Sequence, residues 1–495
     1  MLRKIRVILA LFLFSCITLL FLDITGALHT WLGWTARIQF LPAALAMNTG
    51  IVLVLLAVTA LSGRIYCSTI CPLGVFQDMV SWLRGRIRKK DRFRFGYKPE
   101  RKWLRYLSLC IFLLLIVLGA GSIAYLIEPY SAFGRIASSI FAPIYRAGNN
   151  LLSYLAEELD SYLIYETEVW ISTIPVLIAA VLTLITITLL AWTGGRTWCN
   201  SICPVGTILG LFSRRSIFRP VIDTSKCRDC GLCGKQCKSS CIDMNTHTID
   251  YSRCVVCMDC IETCKDGAIS FTAETSGRNP APKSDAEGNG RRAFMATSAA
   301  LITASALKPE SLIGKGTGTY PKAGEPVRST PLVPAGSGSL KNFTDHCVAC
   351  QLCVSSCPNG VLRPSSSLSS FMIPQMGFEK GYCRPECTEC SSVCPAGAIR
   401  PISIEEKSSI QIGRAVTDLS LCVVNTDGVS CGNCARHCPS GAIIMVRKNP
   451  DDENSLKIPT VNEEKCIGCG ACENLCPARP LTAIHVEGNE IHHTI

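Results

Sequence analysis

Apolar residues crowd the first two hundred positions of the chain and thin out beyond them. Four stretches there, residues 5–22, 41–62, 104–127 and 169–192, are apolar almost from end to end. Each has the ~18–24 residues an α-helix needs to cross a hydrocarbon core of ~30 Å. Four such runs in one half of a chain predict transmembrane helices rather than buried helices of a soluble domain. After residue 222 the apolar runs shorten and cysteines crowd between them. Two segments rich in Gly, Pro, Ser and Thr, 272–290 and 308–339, read as linkers. The predicted organisation is a membrane domain over 1–222, a small cysteine-rich module over 223–271, a linker over 272–339 and a larger cysteine-rich module over 340–495.

Composition agrees with a membrane protein. The chain has 495 residues, 48% hydrophobic and 18% charged, and a mean hydropathy of +0.29. These values exclude a disordered chain, a collagen and an ordinary cytosolic enzyme. A net charge of +11 raises the question of nucleic acid, which the placement of the charges answers. Arg3, Lys4 and Arg6 flank the start of the first stretch. The 64–105 connection holds 12 Lys/Arg against Asp78, Asp91 and Glu100. The connection before the fourth stretch holds Arg135 and Arg146 against Glu128, Glu157, Glu158, Asp160, Glu166 and Glu168. Arg196, Arg214, Arg215 and Arg219 follow the fourth stretch. The positive-inside rule then places the N-terminus, the basic connection and the segment after residue 193 in the cytoplasm, with the acidic connection outside. Much of the +11 becomes a topology signal beside anionic lipid, and no nucleic-acid partner is expected.

The 31 cysteines carry the chemistry. The small module contains Cys227, Cys230, Cys233 and Cys237, then Cys254, Cys257, Cys260 and Cys264. The large module contains Cys347, Cys350, Cys353 and Cys357; Cys383, Cys387, Cys390 and Cys394; Cys422, Cys431, Cys434 and Cys438; and Cys466, Cys469, Cys472 and Cys476. C-x2-C-x2-C-x3-C is the bacterial run for 4Fe–4S clusters: three thiolates of one loop hold one cluster and the fourth cysteine ligates its neighbour. Zinc ribbons use two C-x2-C pairs without a third cysteine at the same step, and disulfides would face too many competing neighbours. Six clusters are therefore expected, two in 223–271 and four in 340–495. In the small module, Cys227, Cys230, Cys233 and Cys264 should hold one, and Cys254, Cys257, Cys260 and Cys237 the other. Cys241 is extra and reads as a packed thiol near a cluster, with a ligand role as the alternative. In the large module the expected pairing is first motif with fourth and second with third, with sequential pairing open.

A second cysteine pattern is duplicated. Gly63-Arg-Ile-Tyr-Cys67-Ser-Thr-Ile-Cys71-Pro-Leu-Gly74 returns as Gly195-Arg-Thr-Trp-Cys199-Asn-Ser-Ile-Cys203-Pro-Val-Gly206, each copy after an apolar stretch. If helical, C-x3-C puts both sulfurs on one face. Cys67, Cys71, Cys199 and Cys203 are candidates for a thiol/disulfide pair, a soft-metal site such as Cu(I), or a contact in an electron path. Cys16 and Cys110 lie in apolar stretches and read as small hydrophobes.

Together these features resemble the NapH and NapG ferredoxin-type proteins of periplasmic nitrate reductase systems, with parts shared by NosR- and CcoG-like membrane ferredoxins. Residues 1–271 are similar to the NapH plan of four transmembrane helices, two C-x3-C-P motifs and a two-cluster ferredoxin. Residues 290–477 are similar to the NapG plan, with Arg291-Arg292-Ala-Phe294-Met, an apolar run to Leu307 and four cluster motifs. The fold class implied is multidomain: an α-helical membrane domain with a candidate fifth helix, plus α+β ferredoxin-like modules. The resemblance implies a bacterial inner-membrane protein that exchanges electrons with the quinone pool and a redox partner protein. If residues 291–307 act as a twin-arginine signal, 340–495 are periplasmic. His29, Trp31, Trp34 and Glu128-Pro129-Tyr130 are candidates near a quinol, the tryptophans also reading as an interfacial belt. The alternative function is copper or metal reduction, or metalloenzyme assembly, by the C-x3-C-P cysteines. The histidines form no catalytic constellation.

Overall fold

The computed structural model describes residues 1–23, 26–88, 94–161, 163, 165–167, 169, 173–273, 326–367 and 370–495. The twin-arginine-like segment 291–307 lies outside the described residues, as does most of the linker. The chain divides into two compact units, each of which combines pieces of the apolar half with one cysteine-rich module. One comprises Met1–Thr18, Ile38–Phe133 and Ala180–Gly316; the other comprises Leu19–Arg37, Gly134–Ala179 and Thr317–Ile495.

Among the described residues, two helices, Leu2–Leu22 and Ile174–Gly194, are long and apolar enough to cross a membrane, each with an 18-residue window of mean hydropathy 2.6. The second and third expected stretches are broken. Residues 41–62 divide into Phe40–Leu45 and Thr49–Ser62. Met47 takes a positive φ of 52°, and the Asn48 side chain accepts from Ile51 N, starting a new helix where the first would have continued. Thr49–Ser62 has 14 residues, about 21 Å of rise at 1.5 Å per residue. Residues 104–127 divide into Lys102–Val117 and Gly121–Ala124. The break falls at Gly119, whose φ of 73° is the left-handed conformation that ends helices. The acidic connection is itself helical: Pro129–Ile136 runs through a π-helical turn, Ala137–Phe141, into Ala142–Glu157.

Each C-x3-C-P motif makes one local structure. Cys67 lies in the short helix Tyr66–Thr69, and Cys71 caps the next helix, Pro72–Ile87. Cys199 lies in Thr197–Ser201, and Cys203 caps Pro204–Ser213. Proline at the first helical position has no N–H to leave unpaired, so Cys-Pro is a natural helix start. The paired cysteines thus sit on two consecutive helices, not on one helical face.

The small module is a strand, a cysteine motif, a hairpin, a second motif and a closing strand. Phe218–Ile222 pairs antiparallel with Ile269–Ala273, and Ile242–Asp243 with Thr248–Ile249. Ile222, Ile242, Ile249 and Ile269 close its core around Cys233, Cys237, Cys241 and Cys260. The large module repeats the plan. Ile410–Thr417 pairs with Ile484–Thr494 around the third and fourth motifs, which flank the hairpin Ile443–Arg447/Lys457–Val461. The first and second motifs flank the hairpin Leu362–Pro364/Pro374–Met376.

Candidate metal centres

Three motif–hairpin–motif units bring the ferredoxin cysteines together. In the small module, Cys237, Cys254, Cys257 and Cys260 line one cavity, and Cys241 lines it too. Cys237 Sγ and Cys241 Sγ are 3.5 Å apart. Cys233 lies within electrostatic reach of Cys227 and Cys230. In the large module, Cys357, Cys383, Cys387 and Cys390 line one cavity. Cys422, Cys431, Cys434 and Cys476 line another. Burial raises the Cys353 thiol well above its usual range, and Cys347, Cys350 and Cys394 add to the shift. Burial does the same to Cys472, with Cys469, Cys466 and Cys438 beside it.

These neighbours correct the expected pairing. The first motif shares its fourth cysteines with the second, and the third with the fourth; the nested pairing is not what forms. The cause is local. A short hairpin returns the chain directly to the motif it has just left, so the helix Leu352–Ser355 packs against Glu389–Val393 and Asn433–Arg436 against Ala471–Asn474. The donor sets fit iron–sulfur clusters. Four thiols line each of the two large-module cavities, and soft thiolates in that number are the ligand set of a four-iron cluster.

The duplicated motif forms a further centre. Cys67, Cys71, Cys199 and Cys203 are each no more than 4% exposed. Cys203 feels Cys199, Cys71 and Cys67, and burial raises its thiol well above the usual range. The two copies exchange arginines. Arg64 donates to Cys199 O at 3.1 Å and lies 3.7 Å from Cys67 Sγ. Arg196 donates to Cys67 O at 2.6 Å and lies 4.0 Å from Cys199 Sγ. Gly74 and Gly206 make room for this exchange: a Cβ on Gly74 would stand 2.7 Å from Arg196 Nη1, and one on Gly206 2.7 Å from Arg64 Nη2. Gln77 Nε2 donates to Cys199 Sγ at 3.3 Å.

The same residues grip the small module. Arg64 donates to Ser252 O at 3.0 Å, Arg196 N to Lys238 O at 2.9 Å, and Asn200 Nδ2 to Ser239 O at 3.2 Å. Asp78 pairs with Arg196 at 2.9 Å, Arg6 at 3.1 Å and Lys238 at 3.5 Å. Burial opposes the charge on Asp78, but Arg196, Lys238 and Arg6 outweigh it and hold the carboxyl well below the usual range. Lys238 continues to Asp259 at 2.9 Å, which Arg3 meets at 2.6 Å. Arg64 and Arg196 are fully buried and Arg6 nearly so. Read from sequence as topology charges, these arginines also hold a ferredoxin module. The Gly-Arg opening of each repeat was the visible signal; the exchange between copies was not.

A profile described as "4Fe-4S binding domain" matches residues 47–90 and 173–222. The cysteines within those ranges are Cys67, Cys71, Cys199 and Cys203. One described as "4Fe-4S dicluster domain" matches 346–398 and 429–479, each range holding two consecutive motifs. The methylamine utilization ferredoxin-type protein MauM of Methylophilus methylotrophus is 32% identical over 157 residues, 30% of this chain and 69% of that protein. The chain belongs to the Nap/Mau family of ferredoxin-type proteins. MauM of Methylobacillus flagellatus is 34% identical over 155 residues, covering 30% of this polyferredoxin and 64% of the relative. The ferredoxin-type protein NapG of Haemophilus influenzae is 30% identical over 164 residues, covering 31% and 56%. No solved structure matches this polyferredoxin.

The remaining candidates fall in different places. His29 is buried, and its Nε2 lies 2.9 Å from Ser356 Oγ beside the first motif of the large module. Trp31 and Trp34 are exposed. Glu128 is buried and accepts from Ser131 N at the start of Pro129–Ile136. Cys16 is buried and Cys110 exposed.

Proposed function

We propose that this polyferredoxin is an inner-membrane electron relay, a NapH-like membrane domain fused to a NapG-like four-cluster module. It links the quinone pool to a redox partner protein, a reductase or cytochrome. The observation that carries the reading is the motif–hairpin–motif unit, built three times with its thiols converging. Six 4Fe–4S clusters, two in 223–271 and four in 340–495, would occupy them and supply one-electron transfer. The chain's own loops and hairpins fix the sulfurs around those sites. Quinol oxidation releases two protons and two electrons per quinone formed, so a donor of this class suits a series of one-electron acceptors.

Contacts inside each unit support the membrane topology. The small module is held by Arg3, Arg6, Arg64 and Arg196, all on segments that the positive-inside rule assigns to the cytoplasm. The large module meets residues assigned to the outer face: His29 at Ser356, Arg37 at Ser392 O and Arg146 at Ser355 O. Four membrane crossings, with a fifth through 291–307, satisfy both sets of contacts. The two broken stretches would cross as interrupted helices. Iron analysis and EPR on the anaerobically purified full chain test the cluster assignment. The six quartets require about 24 iron atoms; a value near ~8 would overturn the large-module assignment.

A further inference from the structure

Four of the seven cysteines outside the ferredoxin quartets form one group, the C-x3-C-P thiols. All four are buried and none is in a disulfide. Donors point at their sulfurs: Gln77 Nε2 at Cys199, Arg64 Nη2 at Cys67, and Gly206 N at Cys203 at 3.3 Å. Such donors favour an anionic sulfur.

Charge carries the argument further. Arg64 is fully buried, and no carboxylate of the described residues pairs with it. Its other acceptors, Asn200 Oδ1, Ser252 O and Cys199 O, are neutral. Asp78 faces Arg6, Arg196 and Lys238 together, so it does not cancel the cation of Arg196. A buried guanidinium requires a counter-charge, and the groups around Arg64 able to carry one are the thiols. Four bare thiolates would overshoot. Four thiolates on an oxidised iron–sulfur core carry about −2, near what the two arginines offset. The profile described as "4Fe-4S binding domain" spans both motifs.

We propose that Cys67, Cys71, Cys199 and Cys203 together bind an additional iron–sulfur cluster, seated against the Cys237/Cys254/Cys257/Cys260 quartet. The two copies of the motif supply two thiolates each, and each thiol gives up its proton to become an iron ligand; no oxidant or reductant is needed. Arg64 reaches Ser252, two residues before Cys254, while Arg196 and Asn200 reach Lys238 and Ser239, directly after Cys237. The added centre would therefore connect the membrane domain with the inner ferredoxin cluster. This assignment is independent of the quinone link and of the direction of electron flow.

The test compares iron, acid-labile sulfide and Mössbauer spectra of the anaerobic full chain with those of the Cys71→Ala/Cys203→Ala variant. The variant should lose ~2 iron for a two-iron core or ~4 for a four-iron core, keeping the ~24 of the six quartets. An unchanged iron count, or copper present in the parent and lost in the variant, overturns the proposal. Should that variant fail to accumulate, Gln77→Leu removes a single donor to Cys199 Sγ. One midpoint potential should then move negative while the others stay fixed; an unmoved set of potentials overturns the proposal as well.

Discussion

Arg64 and Arg196 occupy the same position in two copies of one motif, yet their charge partners differ. Arg196 shares Asp78 with Arg6 and Lys238, whereas Arg64 meets thiols and neutral acceptors. Removing the Asp78 charge leaves buried cations unopposed, a change that typically costs about 3–5 kcal/mol. Asp78→Asn should therefore loosen the small module, read as faster proteolysis within 218–273 while 340–495 stays resistant. The folded-state carboxyl of Asp78 lies below its ordinary value. Its contribution is thus complete at neutral pH and lost only as pH falls below about 4. His492 behaves in the opposite range. Burial, with His493 nearby, lowers it to about 4. The unfolded chain binds a proton near pH 6.5 and the folded one does not, so stability declines as pH falls from about 6.5 toward 4. In thermal melts at pH 7 and pH 5, His492→Phe should lose less stability than the parent between the two.

At the scale of elements, the cysteine spacing could be read as cluster loops because three thiols at steps of three leave few other chemistries. What the spacing could not show is which motif neighbours which. That depends on the hairpins Leu362–Pro364/Pro374–Met376 and Ile443–Arg447/Lys457–Val461, whose short strands carry little sequence signal. Sequential pairing predicts that Cys394→Ser perturbs the EPR signal of the cluster held by Cys347, Cys350 and Cys353. Nested pairing would shift the effect to the third motif's cluster. The helix breaks were partly legible. Asn48 is a natural cap and Gly119 a natural stop, but an apolar count over twenty residues averages both away. The Cys-Pro steps were legible as a repeat, while the assembly of four thiols from its two copies was not, because contacts between copies offset by 132 residues leave no periodicity.

At the scale of the whole molecule, each compact unit joins segments of the apolar half to one ferredoxin module. The large module meets His29, Arg37 and Arg146, so the proposed topology, which puts those three residues outside, requires 340–495 to be outside too. A compartment reporter fused after Leu340 should report the periplasm, and Arg291→Lys/Arg292→Lys should trap it in the cytoplasm. A cytoplasmic signal from both would contradict that topology. The central claim is that electrons pass between quinol and the clusters of this one chain. Its most direct test is to add a reduced quinol anaerobically to the oxidised full-length protein in lipid and follow the cluster absorbance. Bleaching, with quinone formed at one molecule per two electrons taken up, is the expected result. Clusters that stay oxidised under quinol yet bleach with dithionite would contradict the account.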